Sequence, residues 1–277
     1  GEGNKCSMCK NDNKYLNPQY RSISTLKNKD YITIPRNIRL NSKNKNIGIK
    51  LAGLLGWYLA EGNQIYSHKP KICGISFNLS INETKYAEEI KKLAIHLGAK
   101  SVTVFKRKMR NTLTINCFGK EFAELIVRLG GKYSHDKKLD LSIFNWNREE
   151  HIKLLQSYFL GEGHFRRGEY TIKSVSKELV RQIKLIFNKY GISPGYNTYK
   201  SKNKKRYYSL ILSGGDISFL KIFKKYPSKK RYRVNNDYIF IPITDISVKK
   251  SKMNVYNLEV EDEHTYIASG ISVHNCG

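Results

Sequence analysis

Apolar positions along this chain switch between a helical and a strand period. Leu51, Leu54, Leu55, Tyr58 and Leu59 recur at i, i+3, i+4, i+7 and i+8, one apolar stripe of a helix. Further helical runs stand at 88–99 ("EEIKKLAIHLGA") and 181–192 ("RQIKLIFNKYGI"). Residues 100–115 and 197–212 read instead as paired strands, hairpins with Lys, Arg and Tyr interleaved. From residue 237 onward the helical period disappears. The short β-branched runs "YIFIPITDISV", "NVYNLEVE" and "HTYIASGISV" predict an all-β tail. The first 46 residues are polar and rich in Asn and Lys, with a turn and a strand within 22–38 closed by Pro35.

The middle of the chain repeats itself. "LLGWYLAEG" at 54–62 is answered by "LQSYFLGEG" at 155–163, an offset of 101 positions (61 to 162). The helical runs that follow are offset by 93 (88 to 181), so loops differ in length while elements persist. Later, "TINCFGKEFAELI" matches "LILSGGDISFLKI" as a strand, a Gly turn and a helix. Two pseudo-symmetric αββαββα halves of an α+β fold are predicted, with a β-rich segment after them. The expected divisions are 1–47, 48–147, 148–236, 237–275 and 276–277.

Each repeated helix ends in Glu-Gly, at Glu61-Gly62 and Glu162-Gly163. Gly56 and Ala60 on one, and Ser157 and Gly161 on the other, are small residues one turn apart, which lets two backbones approach closely. The terminal glycines suit a left-handed C-terminal cap. A Glu in the last turn opposes the helix dipole, and two such helices side by side add mutual repulsion. A divalent cation relieves both, and carboxylate oxygens with a substrate phosphate are what Mg²⁺ prefers. The plainer alternative is a pair of ordinary buried helices with capping glycines.

Composition narrows the partner. Lys and Arg number 50 against 23 Asp and Glu, a formal charge of +27 over 277 residues. Such an excess repels itself and marks a polyanionic partner, nucleic acid rather than membrane. No stretch approaches the roughly 18 apolar residues of a spanning helix, and "GEGNKCSMCK" lacks the apolar core of a signal peptide. Five cysteines, an odd number, with no export signal point to a reducing, intracellular setting. Cys6 and Cys9 form a single CxxC pair, either half of a zinc site or two free thiols.

The tail carries chemistry of its own. In His274-Asn275-Cys276 the Asn side chain can attack its own carbonyl and close a succinimide. His274 can protonate the leaving amine, and the Cys276 thiol can accept an acyl group. Preceded by "VYNLEVEDEHTYIASGISV", this end resembles the C-terminal splicing blocks of inteins. With the two Glu-ending repeats, the chain resembles an intein-encoded LAGLIDADG homing endonuclease of the two-motif, single-chain type. The likeness runs from about residue 48 to 233 for the nuclease and 238 to 275 for the Hint-type splicing segment.

That resemblance implies metal-dependent hydrolysis of both strands of a long duplex DNA site by a monomer, with Mg²⁺, or Mn²⁺ in its place. Glu61 and Glu162 would bind the metals and activate water, with Gly62 and Gly163 beside them in the metal set. A basic residue stands near each scissile phosphate: Lys137, with Lys138 its rival, in the first half, and Lys229 or Lys230 in the second. The basic hairpins, with Lys106, Arg107, Lys108 and Arg110, and with Lys200, Lys202, Lys204, Lys205 and Arg206, would contact DNA. His264 would assist Asn cyclisation, with Asn257 where many inteins carry Asp. The N-terminal Cys or Ser and the Thr-x-x-His element of splicing are missing ahead of the nuclease. "STLKNKDYITIP" resembles the strand that ends the N-terminal splicing half. The chain is therefore expected to be the C-terminal portion of an intein, with 276–277 the start of the host protein, and to need its N-terminal half to splice. The alternative is an autoprocessing fragment whose repeat domain binds DNA or RNA without cleaving it.

Overall fold

The computed structural model describes residues 18–36, 48–68, 70–201, 206–222, 231–248, 252, 265–268 and 270–274. The chain divides into two units. The larger comprises Arg39–Phe187 and Pro194–Lys230; the smaller comprises Gly1–Ile38, Asn188–Ser193 and Arg231–Gly277.

The larger unit is the tandem repeat. Its first half runs α1 (Ile49–Glu61), β2 (Gly62–His68), β3 (Lys71–Ser80), α2 (Thr84–His96), β4 (Ser101–Arg107), β5 (Thr112–Phe118) and α3 (Lys120–Gly130), after β1 (Tyr31–Pro35) of the smaller unit. The second half runs α4 (Arg148–Glu162), β6 (His164–Arg166), β7 (Glu169–Ser174), α5 (Lys177–Lys189), β8 (Gly195–Lys200) and β9 (Arg206–Ser213). Each half folds its strands into a four-stranded antiparallel sheet, in the orders β2-β3-β5-β4 and β6-β7-β9-β8. The shared order is the fold's internal symmetry. The symmetry lapses once: in place of a counterpart to α3, "GGDISFL" forms the 3-10 helix Gly214–Leu220. The Ser218 hydroxyl bonds back to the Gly215 carbonyl, and Lys221 in the left-handed region (φ 52°) ends the element.

Alternation explains the sheets. Ile75, Phe77, Leu79, Leu113, Ile115 and Cys117 turn one face of the first sheet into the core, as Ile172, Leu210 and Leu212 do in the second. α1 departs from the expected one-sided stripe. Every residue from Leu51 to Leu59 is buried, including Ala52, Gly53, Gly56 and Trp57, because α4 covers what would have been its outer face. A Cβ on Gly56 would lie 2.7 Å from Ser157 Cβ, and one on Gly161 only 2.6 Å from Ala60 Cβ. The small residues are what let these two backbones touch.

The smaller unit is β-rich. β1 pairs antiparallel with β11 (Tyr238–Pro242), which also pairs with β10 (Arg233–Val234). β12 (Thr265–Ala268) and β13 (Ile271–His274) form a hairpin turning at Gly270, whose φ is 88°. The strand expected over 238–248 ends early, at Pro242, where the ring removes the ladder donor. "NVYNLEVE" lies outside the described residues. No helix among the described residues is long and apolar enough to cross a membrane.

Candidate active site

α1 and α4 end together, and their last residues are Glu61 and Glu162. The Glu61 Cγ lies 3.5 Å from where a Cβ on Gly161 would stand, so the first carboxylate rises directly against the end of the second helix. Glu61 is half-buried; Glu162 reaches solvent but is recessed among protein atoms. Desolvation pushes both carboxyls up to about 7. The charge of Glu83 adds to the rise at Glu61, and that of Glu61 adds to the rise at Glu162, while Lys137 pulls each down.

The terminal glycines do not take the expected left-handed cap. Gly62 (φ −84°, ψ 141°) and Gly163 (φ −85°, ψ 145°) are extended and lead straight into β2 and toward β6. They are glycine for want of room. A Cβ on Gly62 would lie 2.7 Å from Tyr58 Cα, and one on Gly163 would press into the Phe159 carbonyl and the Tyr170 ring. A side chain at either place would push the strand off its helix and move the adjoining carboxylate.

Lys137 is buried, and its amino group donates to the carbonyls of Tyr58 (2.8 Å) and Leu59 (2.9 Å) in the last turn of α1. A cation there favours the negative end of the helix dipole. Burial brings its amine down to about 8, against the opposing influence of Glu61 and Glu162. Lys138, its rival, is exposed and contributes its backbone N–H to the Gly130 carbonyl. The loop carrying Lys137 is held by the second repeat. Ser176 Oγ donates to the Lys137 carbonyl (2.6 Å), and the Gln182 amide closes a pair of hydrogen bonds with the Leu139 backbone (2.7 and 2.9 Å). Ser176 and Gln182 are buried polar residues whose part escapes a reading of the sequence, since nothing local marks their partners. In the second half the Phe159 carbonyl receives the Tyr170 hydroxyl at 2.6 Å. Lys229 and Lys230 lie outside the described residues.

Two carboxylates and one amine make an incomplete cage. Among the described residues no group of three or more His, Cys, Asp or Glu gathers to hold a metal. The donors present are hard oxygens, too few to enclose an ion, which fits a cation such as Mg²⁺ that retains water and takes phosphate oxygens.

Beyond the carboxylates, each sheet has a second face directed away from the core, on which Thr114 and Ser209 are nonetheless buried. In the first half, Asn63, Ser76, Asn116 and Thr103 are successive cross-strand partners, followed by the row Asn78, Thr114, Phe105. Ser76 Oγ donates to Asn116 Oδ1 (2.8 Å), and Thr114 Oγ1 to Asn78 Oδ1 (2.9 Å). In the second half the matching rows are His164, Thr171, Ile211, Gly195 and then Lys173, Ser209, Asn197. A groove of about 440 Å³ runs along this face from Glu162, lined also by His164, Arg166, Arg167, Glu169, Lys173 and Tyr199. Lys173 Nζ stands 6.0 Å from the Tyr199 ring centroid.

The residues singled out in sequence for DNA contact distribute unevenly. Arg107, opposite Thr112, belongs to the outward rows, whereas Lys106, opposite Leu113, falls on the core side of the same strand. Lys200 and Arg206 pair with each other and likewise fall on the core side by alternation. Arg110 is exposed in the turn after β4. Lys108 belongs to that turn, and its side chain is outside the described residues, as are Lys202, Lys204 and Lys205. His164, Arg166 and Lys173, not singled out, line the groove; a cation or His at every second strand position was the available cue.

In the smaller unit, His274 packs edge-on against Tyr20, ring centroids 5.1 Å apart, and the Tyr20 hydroxyl meets Ser272 Oγ at 3.0 Å. His264, Asn257, Asn275, Cys276, Cys6 and Cys9 lie outside the described residues. The described cysteines, Cys73 and Cys117, are free thiols, and burial pushes that of Cys117 up to about 12.

Residues 149–223 match the family described as LAGLIDADG-like domain. The chain is 27% identical over 248 residues to the ATP-dependent DNA helicase Hel308 of Thermococcus kodakarensis, covering 83% of this chain and 22% of the helicase. It is 23% identical over 242 residues to an iron-sulfur cluster assembly SufBD family protein of Mycobacterium bovis, covering 82% of this chain and 27% of that protein. The chain thus spans about a quarter of the length of these curated relatives. Among solved structures, a variant of the homing endonuclease I-DmoI aligns at a TM-score of 0.48 and 15% identity, over 64% of this chain and 96% of its own.

Proposed function

Since residues 149–223 match the LAGLIDADG-like family, we propose that the chain carries the nuclease and the C-terminal splicing segment of an intein, cutting both strands of duplex DNA at a long, specific site. The observation that carries this reading is the meeting of Glu61 and Glu162 at the ends of two touching helices, beside outward sheet faces on a chain of charge +27. A helicase and an iron-sulfur assembly protein that share this stretch have little else in common by name, which supports an element inserted into unrelated hosts.

Glu61 and Glu162 would hold Mg²⁺ or Mn²⁺, with the Gly62 and Gly163 backbone beside them. The ion supplies acidification of a water and neutralisation of phosphate charge when bound. The protein's own groups do the rest. With the ion bound, the two carboxylates would be ionised and able to accept a hydrogen bond from the attacking water and orient it. Lys137, fixed by two carbonyls, holds positive charge near the carboxylates and would offset the developing charge of the substrate. Lys229 or Lys230 takes the matching part in the second half. The sheet faces bind the duplex and hold it in register.

In the tail, Asn275 attacks its own carbonyl carbon and the bond to Cys276 breaks. His274 protonates the departing amine, with His264 assisting, and Cys276 is the acyl acceptor when the N-terminal half is supplied. The test is cleavage of a randomised duplex library in Mg²⁺, beside Glu61→Gln and Glu162→Gln controls. An enriched, metal-dependent cut site absent from both controls supports the reading. Binding without cutting would leave a nucleic-acid-binding domain on a splicing tail.

A further inference from the structure

We infer that the two repeats read their half-sites by different chemistry, the first through neutral amides selecting A·T pairs and the second through charged groups selecting G·C pairs. This rests on the site-specific DNA reading above and adds the base content of each half.

Equivalent positions in the two sheets are set by register. Asn63 and His164 each follow a helix-terminal Glu-Gly, and each opens the first outward row. Counting from them, Asn78 occupies the place of Lys173, and Asn116 that of Ile211. The centre of the first face is therefore uncharged. Two of the three amides on this face are each fixed by a hydroxyl from the neighbouring strand, Asn116 by Ser76 and Asn78 by Thr114. An amide so held presents a donor and a second acceptor lone pair in a set plane, the pattern that matches N6 and N7 of adenine.

The second face is built otherwise. Arg166 and Glu169 are direct cross-strand partners, and Lys173 lies two rows from them on the same face. An Arg beside a Glu complements a G·C pair, the guanidinium to guanine O6 and N7 and the carboxylate to cytosine N4. Lys173, steadied over the Tyr199 ring, adds a second guanine reader. The outward cations described on the first half, Arg107 and Arg110, stand at the hairpin end, where phosphate contact positions without specifying.

The test is selection of bound duplexes from a randomised library by the full chain, repeated with Asn116→Ala, Asn78→Ala, Arg166→Ala and Lys173→Ala. The wild-type consensus is expected to have one A·T-rich half and one half with fixed G·C pairs. The Asn variants should relax only the first half and the Arg and Lys variants only the second. Each should bind the wild-type consensus roughly 5- to 150-fold more weakly. Asn116→Lys should convert an adenine preference into guanine, a gain that misfolding cannot mimic. Two halves of like composition, or all variants relaxing the same half, would overturn the inference while leaving a site-specific DNA binder. No enriched sequence at all would overturn the proposed function and this inference with it.

Discussion

Glu150 in α4 accepts the backbone N–H of Gly48, 102 positions away, at 2.9 Å, and so fastens the start of α1 to the start of α4. Its other oxygen accepts the Asn147 N–H at 3.0 Å, completing a capping box in which Asn147 receives the Glu150 N–H at 2.9 Å. Two helix N-termini thus share one buried carboxylate, at the opposite end of the helix pair from Glu61 and Glu162. Glu150→Ala leaves both donors without it and should cost about 2–4 kcal/mol in denaturant unfolding. Glu150→Gln, which keeps an acceptor, should cost less.

The crossing of α1 and α4 predicts a second loss. Gly56→Ala places a methyl 2.7 Å from Ser157 Cβ, and neither backbone can yield without moving the other helix. A stability loss of about 1–3 kcal/mol is expected. DNA cleavage should fall further than stability alone explains, because the carboxylates ride on the same two helices. Comparing cleavage at a temperature where both proteins remain folded separates the two effects.

The carboxylates should weigh on stability in a definite pH window. Carboxyls near 7 in the fold, against an ordinary 4.5, keep protons that the unfolded chain has released. Stability without metal therefore falls as pH rises from about 4.5 through 7, and stays lowered above. Glu162→Gln removes part of this penalty and should raise the Tm of the metal-free protein at pH 8 by roughly 2 °C, with no gain at pH 4. An equal effect at both values would contradict the assignment. Metal binding should release protons between pH 5 and 7 and tighten across that interval.

Lys137 sets the other limb. Its amine loses its proton near 8, so cleavage that needs the cation should fall as pH climbs past that value. Raising Mg²⁺ should shift the acid limb of the pH–rate profile downward and leave the alkaline limb in place. Lys137→Met should abolish the alkaline limb and lower the rate by about 100-fold or more.

Tyr20 offers a test at the chain's end. It touches both Ser272 and His274 and so fixes the side chain that precedes Asn275 in sequence. Cleavage after Asn275, followed by mass spectrometry, should slow about tenfold in Tyr20→Ala. Tyr20→Phe, which keeps the ring and loses only the Ser272 bond, should be milder.

Much of this was legible in the residues. The 3.6-residue period marks α1, and the 101-position echo places Glu61 and Glu162 at equivalent helix ends. What the sequence withheld is tertiary. A terminal Gly is compatible with a left-handed turn or with mere lack of space; only the neighbours, Tyr58 and Tyr170, decide for lack of space. Lys137 and Lys138 are adjacent and alike. They part because Ser176 and Gln182, some 40 positions on, grip the loop and turn one inward. Basic runs drew attention to hairpin tips, whereas the groove is lined by singly placed charges, Arg166 and Lys173, that alternate with core residues.

The pairing of β1 with β11 has a consequence for how such a chain comes to exist. Pro35 and Tyr238 are cross-strand partners, and the Arg36 N–H reaches the Asp237 carbonyl at 2.8 Å. Some two hundred residues lie between the two strands of that pair. In chain order, the whole tandem repeat stands where a hairpin turn would. Since loop closure costs about 0.6 kcal/mol per doubling of length, replacing a tight turn by a flexible segment of this length would cost the sheet about 3–4 kcal/mol, and an insert that folds with its own two ends close together avoids much of that cost. Parts joined this way can have separate histories.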